Sequence, residues 1–102
     1  RPIIYGAKYA AVIANKAKSK PIQKVTIAGR FCESGDVLIK DVFMPKIEKG
    51  DIIAVACTGA YNYSMASNYN RVGRPAMVLV NKGKARLIVK RETCEDITRN
   101  DL

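Results

Sequence analysis

The sequence predicts a mainly β domain, a small Greek-key-like β-barrel or sandwich that ends in a short C-terminal helix. Residues Gln23–Ala28 alternate in the manner of a half-buried strand, and two β-type runs flank Gly83 as in a hairpin. Near the end, Thr93-x-x-Asp96 matches the capping box that opens a helix. Apolar residues make up 48% of the 102-residue chain, which indicates one compact domain with a core of its own.

Strand and turn signals alternate through the first part of the chain. Residues 3–15 form a long, mostly apolar stretch, and the polar segment 16–21 ends in proline and predicts a loop. After the strand at 23–28, residues 29–36 carry glycines and acids and predict a second loop. A short strand is expected at Val37–Ile39.

The second part continues the same alternation. Turn residues at 44–45 and 48–51 precede an apolar run at 52–56, which is short enough for a buried strand. Residues 58–70 are rich in Gly, Ser, Asn and Tyr and predict a loop with one helical turn. In the hairpin that follows, strands are expected at 77–80 and 85–90, with Gly83 supplying the positive φ that the turn needs.

The strong positive charge admits a nucleic-acid partner as one hypothesis. Eighteen Lys and Arg against nine Asp and Glu give a formal charge of +9. The densest basic group, Lys16, Lys18, Lys20 and Lys24, falls in and beside a predicted loop without interleaved aromatic residues. A solvated lysine face with no nucleic-acid partner is therefore the favoured interpretation, and a small basic β-barrel that binds nucleic acid is kept as the alternative.

The cysteine and histidine counts exclude several kinds of site. Cys32, Cys57 and Cys94 are odd in number and far apart, which argues against a disulfide framework and favours a reducing, cytoplasmic compartment. The chain has no histidine, so His-based zinc sites and Ser-His-Asp or Cys-His catalytic groups are excluded, and we expect no metal. No apolar run has the length needed to span a bilayer, so a membrane partner is not expected either.

Three segments carry residue types suited to chemistry. The loop Cys32-Glu33-Ser34-Gly35-Asp36 places a thiol beside a carboxylate, which provides a proton donor and a partner for a cation. Arg1 and Tyr5 share a face if their segment is a strand, and together they suit a carboxylate. Gly59-Ala60-Tyr61 follows an apolar strand and allows a phenol to approach a ligand. Each segment taken alone also has an ordinary structural interpretation, as a polar turn, a core tyrosine or a buried cysteine.

Taken in order, these segments resemble the C-terminal domain of the diaminopimelate decarboxylases, a family of the alanine-racemase-like (fold type III) pyridoxal-phosphate enzymes. The resemblance runs nearly the whole length and rests on these motifs: Arg1-Pro2-Ile3-Ile4-Tyr5-Gly6-Ala7, Cys32-Glu33-Ser34-Gly35-Asp36, Gly50-Asp51, Gly59-Ala60-Tyr61, Ser64-Met65-x-Ser67-x-Tyr69-Asn70, Arg74-Pro75-Ala76-x-Val78-Leu79-Val80 and Arg91-Glu92-Thr93-x-Glu95-Asp96. One departure is Lys8-Tyr9, where the family often has an aromatic residue followed by histidine.

The resemblance implies a two-domain enzyme of which residues 1–102 are the C-terminal β-domain. An N-terminal (β/α)8 barrel, absent from this chain, would hold most of the pyridoxal 5'-phosphate through a lysine. The reaction implied is decarboxylation of meso-2,6-diaminopimelate to L-lysine and CO2 in lysine biosynthesis, carried out by a cytoplasmic homodimer. The isolated domain is expected to be inactive because it lacks the electron sink of the cofactor.

The resemblance also assigns roles to five residues. Cys32 matches the general acid, and Glu33 matches the partner of the substrate's distal ammonium group. Arg1 matches the ligand of the distal carboxylate, with Tyr5 as a second donor. Tyr61 matches a tyrosine that contacts both the substrate and the cofactor.

Two further expectations accompany these roles. Ser34 and Asp36 are expected to shape the loop rather than to bind ligand. A decarboxylase of the same family with a different basic amino-acid substrate is an alternative, because the Lys8-Tyr9 departure is compatible with shifted specificity.

Overall fold

A computed structural model describes residues 6–102 and shows a chain built mostly from short antiparallel strands. Contacts group the chain into two compact units, Arg1–Gly59 and Ala60–Leu102. The strands are β1 Ala11–Ile13, β2 Gln23–Ala28, β3 Val37–Met44, β4 Ile53–Val55, β5 Met77–Asn81 and β6 Lys84–Val89, and the α-helices are α1 Gly59–Asn62 and α2 Cys94–Thr98. The predicted mainly β class and the short C-terminal helix are confirmed.

In the first unit, β1 pairs with β4 in a short antiparallel sheet. Val12 lies opposite Ala54 at its centre. The pairing extends past both strand ends, because Ala14 N–H donates to the Ile52 carbonyl at 2.7 Å and Ala56 N–H donates to the Ala10 carbonyl at 2.9 Å. The apolar run at residues 52–56, expected to be a buried strand, does contain the three-residue strand β4, but the run is not buried, because Ile52 is 64% and Ile53 is 38% exposed.

The second sheet of this unit is the pair β2 and β3, and it corrects one sequence-based expectation. The strand expected to end at Ile39 continues to Met44. Between the pairs Val25–Val42 and Ile27–Ile39 the register shifts, so β3 carries an extra residue. Asp41 takes a left-handed conformation there, with φ 55°, which marks a bulge. Residues 40–44, beyond the predicted strand, thus continue β3 past the bulge at Asp41.

The buried core of the described residues is small. Ile13, the last residue of β1, and Met44, the last residue of β3, are each 1% exposed. Many other large apolar side chains are exposed, among them Ile22 at 68% and Phe43 at 64%. So much open apolar surface is typical of a domain that packs against further protein.

The second unit contains α1 from Ala60 onward, a 3-10 turn at Tyr69–Arg71, the β5–β6 hairpin and α2. The hairpin pairs Val80 with Ala85, and its turn residues Lys82 and Gly83 both have positive φ, 48° and 72°. The capping box predicted at Thr93 and Asp96 is present, with Thr93 Oγ1 accepting from the Asp96 N–H at 3.3 Å.

The three sheets each have two strands, and among residues 6–102 the strand pairings do not close a barrel. Two of the sheets are hairpins of consecutive strands, whereas β1 and β4 pair across the intervening β2–β3 hairpin. None of the helices formed by the described residues is long and apolar enough to cross a membrane.

Candidate functional site

The loop between β2 and β3, which carries Cys32 and Glu33, is closed mainly by Asp36. Gly29 N–H donates to the Asp36 carbonyl at 2.8 Å, and Phe31 N–H donates to Asp36 Oδ2 at 2.9 Å. Asp36 N–H in turn donates to the Glu33 carbonyl at 3.0 Å. The expectation that Asp36 shapes this loop is met, because its backbone and its carboxylate both bind loop residues.

Gly29 is required by this arrangement. A Cβ atom at Gly29 would collide with the carboxylate of Asp36, which lies directly over the glycine backbone. The close approach lets the Asp36 carboxylate reach the Phe31 N–H. Any larger residue at position 29 would therefore displace the Asp36 carboxylate from the Phe31 N–H.

Cys32 and Glu33 are neighbours on the outside of this loop, and both are exposed. Glu33 Oε1 accepts from the Gly35 N–H at 2.9 Å, which holds the carboxylate over the turn at residues 34–35. A thiol and a carboxylate thus lie on adjacent residues of a braced loop, where a ligand can reach both.

Tyr61 belongs to the second unit. It lies in α1 and is 73% exposed. Ser64 Oγ donates to the Ala60 carbonyl at 2.9 Å and holds the chain just after the helix. The predicted site residues therefore come from two units, with Cys32 and Glu33 in the first and Tyr61 in the second, while Arg1 and Tyr5 lie outside the described residues.

A cluster formed by Asn68, Arg74 and Glu92, here called the Arg74 cluster, was not assigned a role from the sequence. Arg74 Nη1 donates to Glu92 Oε1 at 2.8 Å, and Asn68 Nδ2 donates to Glu92 Oε2 at 2.6 Å. The Arg74 N–H, the Asn68 amide and the Arg74 guanidinium together lower the pKa of Glu92 to about 2. Arg74 and Glu92 both stand in the family motifs, but nothing in the sequence indicates that they meet.

A second unassigned cluster joins the ends of β1 and β4. Lys16 Nζ donates to Asp51 Oδ2 at 2.8 Å and to Glu48 Oε2 at 2.9 Å. The Asp51 side chain is 6% exposed, and its pKa is lowered to about 2 by Lys16 first, then by the Asn15 amide and the Glu48 N–H.

The ion pairs of Lys16 and Lys24 bear on the alternative hypothesis that this chain binds nucleic acid. Of the four lysines in the densest basic group, Lys16 binds two carboxylates and Lys24 lies 3.4 Å from Asp41. Lysines that neutralise neighbouring acids are poor candidates for phosphate contacts. The local structure thus favours the solvated-face interpretation of the basic group.

A groove of about 470 Å³ lies in the first unit between residues 6–9 and β3. Lys8 and Tyr9, the departure from the family pattern, are part of its lining, together with residues 37–42. The lining includes neither Cys32 nor Glu33. The departure therefore belongs to a groove distinct from the Cys32–Glu33 loop.

Residues 1–59 match the model of the pyridoxal-dependent decarboxylase C-terminal sheet domain. The match ends at the residue where the first compact unit ends. It includes Cys32 and Glu33, whereas Tyr61 lies just beyond it.

Individual relatives extend the similarity over the second unit as well. The chain is 57% identical over 99% of its length to the diaminopimelate decarboxylase of Synechocystis, and 56% identical over its full length to that of Bacillus subtilis. The crystal structure of the M. jannaschii diaminopimelate decarboxylase in complex with L-lysine is similar over the whole chain, with a TM-score of 0.87 and 43% identity. The chain spans 22% of the Synechocystis relative's length and 23% of each of the other two.

Proposed function

Because this chain belongs to the family of the pyridoxal-dependent decarboxylase C-terminal sheet domain, we propose that residues 1–102 are the C-terminal domain of a diaminopimelate decarboxylase. The observation that carries the proposal is the 57% identity to a protein of that name over 99% of the chain. The whole enzyme would convert meso-2,6-diaminopimelate to L-lysine and CO2. The small core and the open apolar surface of the domain support a role beside further protein, here an N-terminal barrel and a second subunit.

Among the described residues, Tyr61 fits a contact to the cofactor. Its phenol is 73% exposed at the start of the second unit, and a phenol O–H is a suitable donor to a phosphate oxygen. The lysine that binds pyridoxal phosphate, and most of its other contacts, would belong to the N-terminal barrel. When bound, the cofactor supplies the electron sink for the loss of CO2.

In this proposal Cys32 is the general acid that delivers a proton to the substrate α-carbon. A thiol donor must be accessible to substrate and held in place, and Cys32 is exposed on a loop braced by Asp36. Asp36 holds the loop, and in this proposal neither Ser34 nor Asp36 contacts substrate.

The far end of the substrate carries one ammonium and one carboxylate. Glu33 would bind the ammonium, and Arg1 with Tyr5 would bind the carboxylate. A substrate without the distal carboxylate would leave Arg1 without its partner in a closed site, and this costs binding energy. The site would thus distinguish diaminopimelate from lysine, ornithine and arginine, which lack that group.

A chimeric enzyme tests the proposal, with this chain replacing the matched 23% of the Bacillus subtilis relative. We expect it to release CO2 and L-lysine from meso-diaminopimelate and to leave L-lysine and L-ornithine unchanged. Cys32→Ala should lower kcat by about 10²- to 10⁴-fold with little change in KM, because a general acid acts in the chemical step.

The matched control is Cys94→Ala, which removes another exposed thiol, at the first turn of α2. It should leave kcat unchanged. Full activity of the Cys32→Ala chimera would contradict the role of Cys32, and preference for ornithine would contradict the substrate.

A further inference from the structure

We propose that the Arg74 cluster is a positioning device for Tyr61. Arg74 and Glu92 would hold the segment of residues 60–66, which carries Tyr61, in the conformation that the ligand meets. This inference rests on the proposed function for its catalytic consequence, whereas its structural part can be tested without any activity.

The Arg74 guanidinium binds the end of that segment directly. Its Nε donates to the Ala66 carbonyl at 3.1 Å, while Nη1 donates to Glu92 Oε1 at 2.8 Å and to Asn68 Oδ1 at 3.1 Å. One rigid planar group therefore makes three hydrogen bonds that tie the segment of Ala66 and Asn68 to Glu92. A lysine at this position has a point charge on a flexible stem and would not bind all three.

Glu92 anchors the cluster on the far side, just after β6. Its Oε2 accepts from the Arg74 N–H at 2.7 Å and from Asn68 Nδ2 at 2.6 Å, so both carboxylate oxygens are engaged. The side chains of Arg74 and Glu92 are 35% and 26% exposed. Partial shielding and several charge-assisted bonds make this network firmer than an isolated surface pair.

The contact at Ala66 reaches Tyr61 through short-range bonds. Ala66 N–H donates to the Tyr63 carbonyl at 3.1 Å, and Ser64 Oγ donates to the Ala60 carbonyl at 2.9 Å. The first bond closes the turn at residues 63–66, and the second closes the overlapping turn at residues 60–64, which contains Tyr61. The Ala66 carbonyl held by Arg74 is therefore the last fixed point of the Tyr61 segment.

The chain between Asn68 and Arg74 is strained, and the cluster holds both of its ends. Asn70 and Arg71 have φ values of 55° and 56°, a left-handed conformation that side chains other than glycine adopt at a cost. Gly73 permits the close approach, because a Cβ there would lie 2.9 Å from the Glu92 carbonyl oxygen. Such conformations persist where surrounding contacts enforce them and are concentrated at functional sites.

The same unit offers a matched control. Arg71 forms a two-point pair with Asp101, with Nη1–Oδ2 at 2.6 Å and Nη2–Oδ1 at 3.2 Å. This pair is more exposed, at 67% and 48%, and it fastens the C-terminus instead of the Tyr61 segment. Arg71→Lys therefore makes the same chemical change as Arg74→Lys at a place that should not affect Tyr61.

Amide hydrogen exchange on the 102-residue chain tests the structural part. Arg74→Lys should speed exchange of the Ala66 amide by about tenfold or more, because the opening of this turn becomes easier. In the Arg74→Lys protein, the amides of the β5–β6 hairpin should keep their wild-type exchange rates. In the Arg71→Lys protein, the Ala66 amide should keep its wild-type exchange rate. Equal exchange at Ala66 in the two variants, or faster exchange throughout the unit, would overturn the inference.

Kinetics of the chimeric enzyme test the consequence. Arg74→Lys should lower kcat/KM in the enzyme with Tyr61, and the loss should largely disappear in a Tyr61→Phe background, because the two residues act through one contact. Arg71→Lys should be neutral in both backgrounds. The same fold-loss in both backgrounds would show that Arg74 does not act through Tyr61. An inactive wild-type chimera would instead refute the proposed function, and the exchange experiment would still decide the structural part.

Discussion

At the scale of single residues, Asp51 shows how one carboxylate fixes the end of a sheet. Three donors converge on it, namely Lys16 Nζ, Asn15 Nδ2 and the Glu48 N–H, each at 2.8 Å. Asn15 also accepts from the Ile52 N–H at 3.0 Å, so the residues after β1 are joined to those before β4. The Asp51 side chain is 6% exposed, so its carboxylate lies largely covered by these donors.

The lowered pKa of Asp51 predicts acid-dependent stability. Since the pKa is about 2 in the folded chain and 3.8 ordinarily, the stabilisation is complete above pH 3.8 and is lost as the pH falls toward 2. Asp51→Asn should therefore lower the melting temperature near neutral pH, and the difference from wild type should shrink in acid. Thermal melts between about pH 2 and about pH 7 measure this.

Asp41→Asn is the control for that series. Asp41 pairs with Lys24 at 3.4 Å, but the two side chains are 71% and 54% exposed, so the pair contributes little. The melting temperature of the Asp41→Asn protein should equal that of wild type at every pH. A difference between Asp51→Asn and wild type that persists unchanged in acid would show that the carboxylate charge is not what stabilises this corner.

At the scale of elements, the β5–β6 turn contains one residue that suits its positive-φ backbone and one that does not. Gly83 has φ 72° and adopts it readily, whereas Lys82 has φ 48°, a region that disfavours a long side chain. Two consecutive positive φ values define the turn that prefers Asn-Gly. The hairpin forms in spite of Lys82.

Lys82→Asn should accordingly stabilise the chain by up to about 1 kcal/mol, because asparagine tolerates the left-handed conformation. Urea unfolding measures it as a higher midpoint with an unchanged slope. Lys84→Asn, two residues further along in β6, exchanges the same residue types inside a strand and should not stabilise. If both variants raised the midpoint equally, the cause would be the lost positive charge and not the turn.

Local patterns predicted the elements well wherever the determining residues are neighbours in sequence. The strand at Gln23–Ala28 and the capping box at Thr93 are observed as predicted. The extension of β3 to Met44 was missed, because a bulge at Asp41 depends on the register against β2. The Arg74–Glu92 contact was missed for the same reason, since it joins residues 18 apart through tertiary packing.

Of the predictions for the candidate site, the structure tests only the one for the loop that Asp36 closes. That Asp36 shapes its loop was predictable from a short Gly-containing acidic segment, and it is observed. The roles of Cys32, Glu33 and Tyr61 stay predictions, because they concern a ligand and polypeptide outside this chain. Arg1 and Tyr5 lie outside the described residues, and their roles stay predictions too.

At the scale of the whole molecule, the β5–β6 hairpin exposes apolar side chains on both faces, and the face of Val78 and Val80 is the more exposed of the two. Val78 pairs with Leu87 and Val80 with Ala85, so these four apolar residues share a face. Val78, Val80 and Leu87 are 50%, 69% and 53% exposed. A two-stranded hairpin is marginal unless such a face is covered. In relatives more than four times as long as this chain, there is ample further polypeptide to cover it.

In the isolated chain the same face should bind a second copy. We expect sedimentation velocity to show concentration-dependent association, and Val80→Lys should weaken it because a charge would then have to be buried between the copies. Asn81→Lys adds the same charge one residue further, where the side chain belongs to the opposite face. That variant should associate like wild type, and equal weakening by both would indicate simple charge repulsion. Unaltered association of Val80→Lys would mean that the chain associates through another surface.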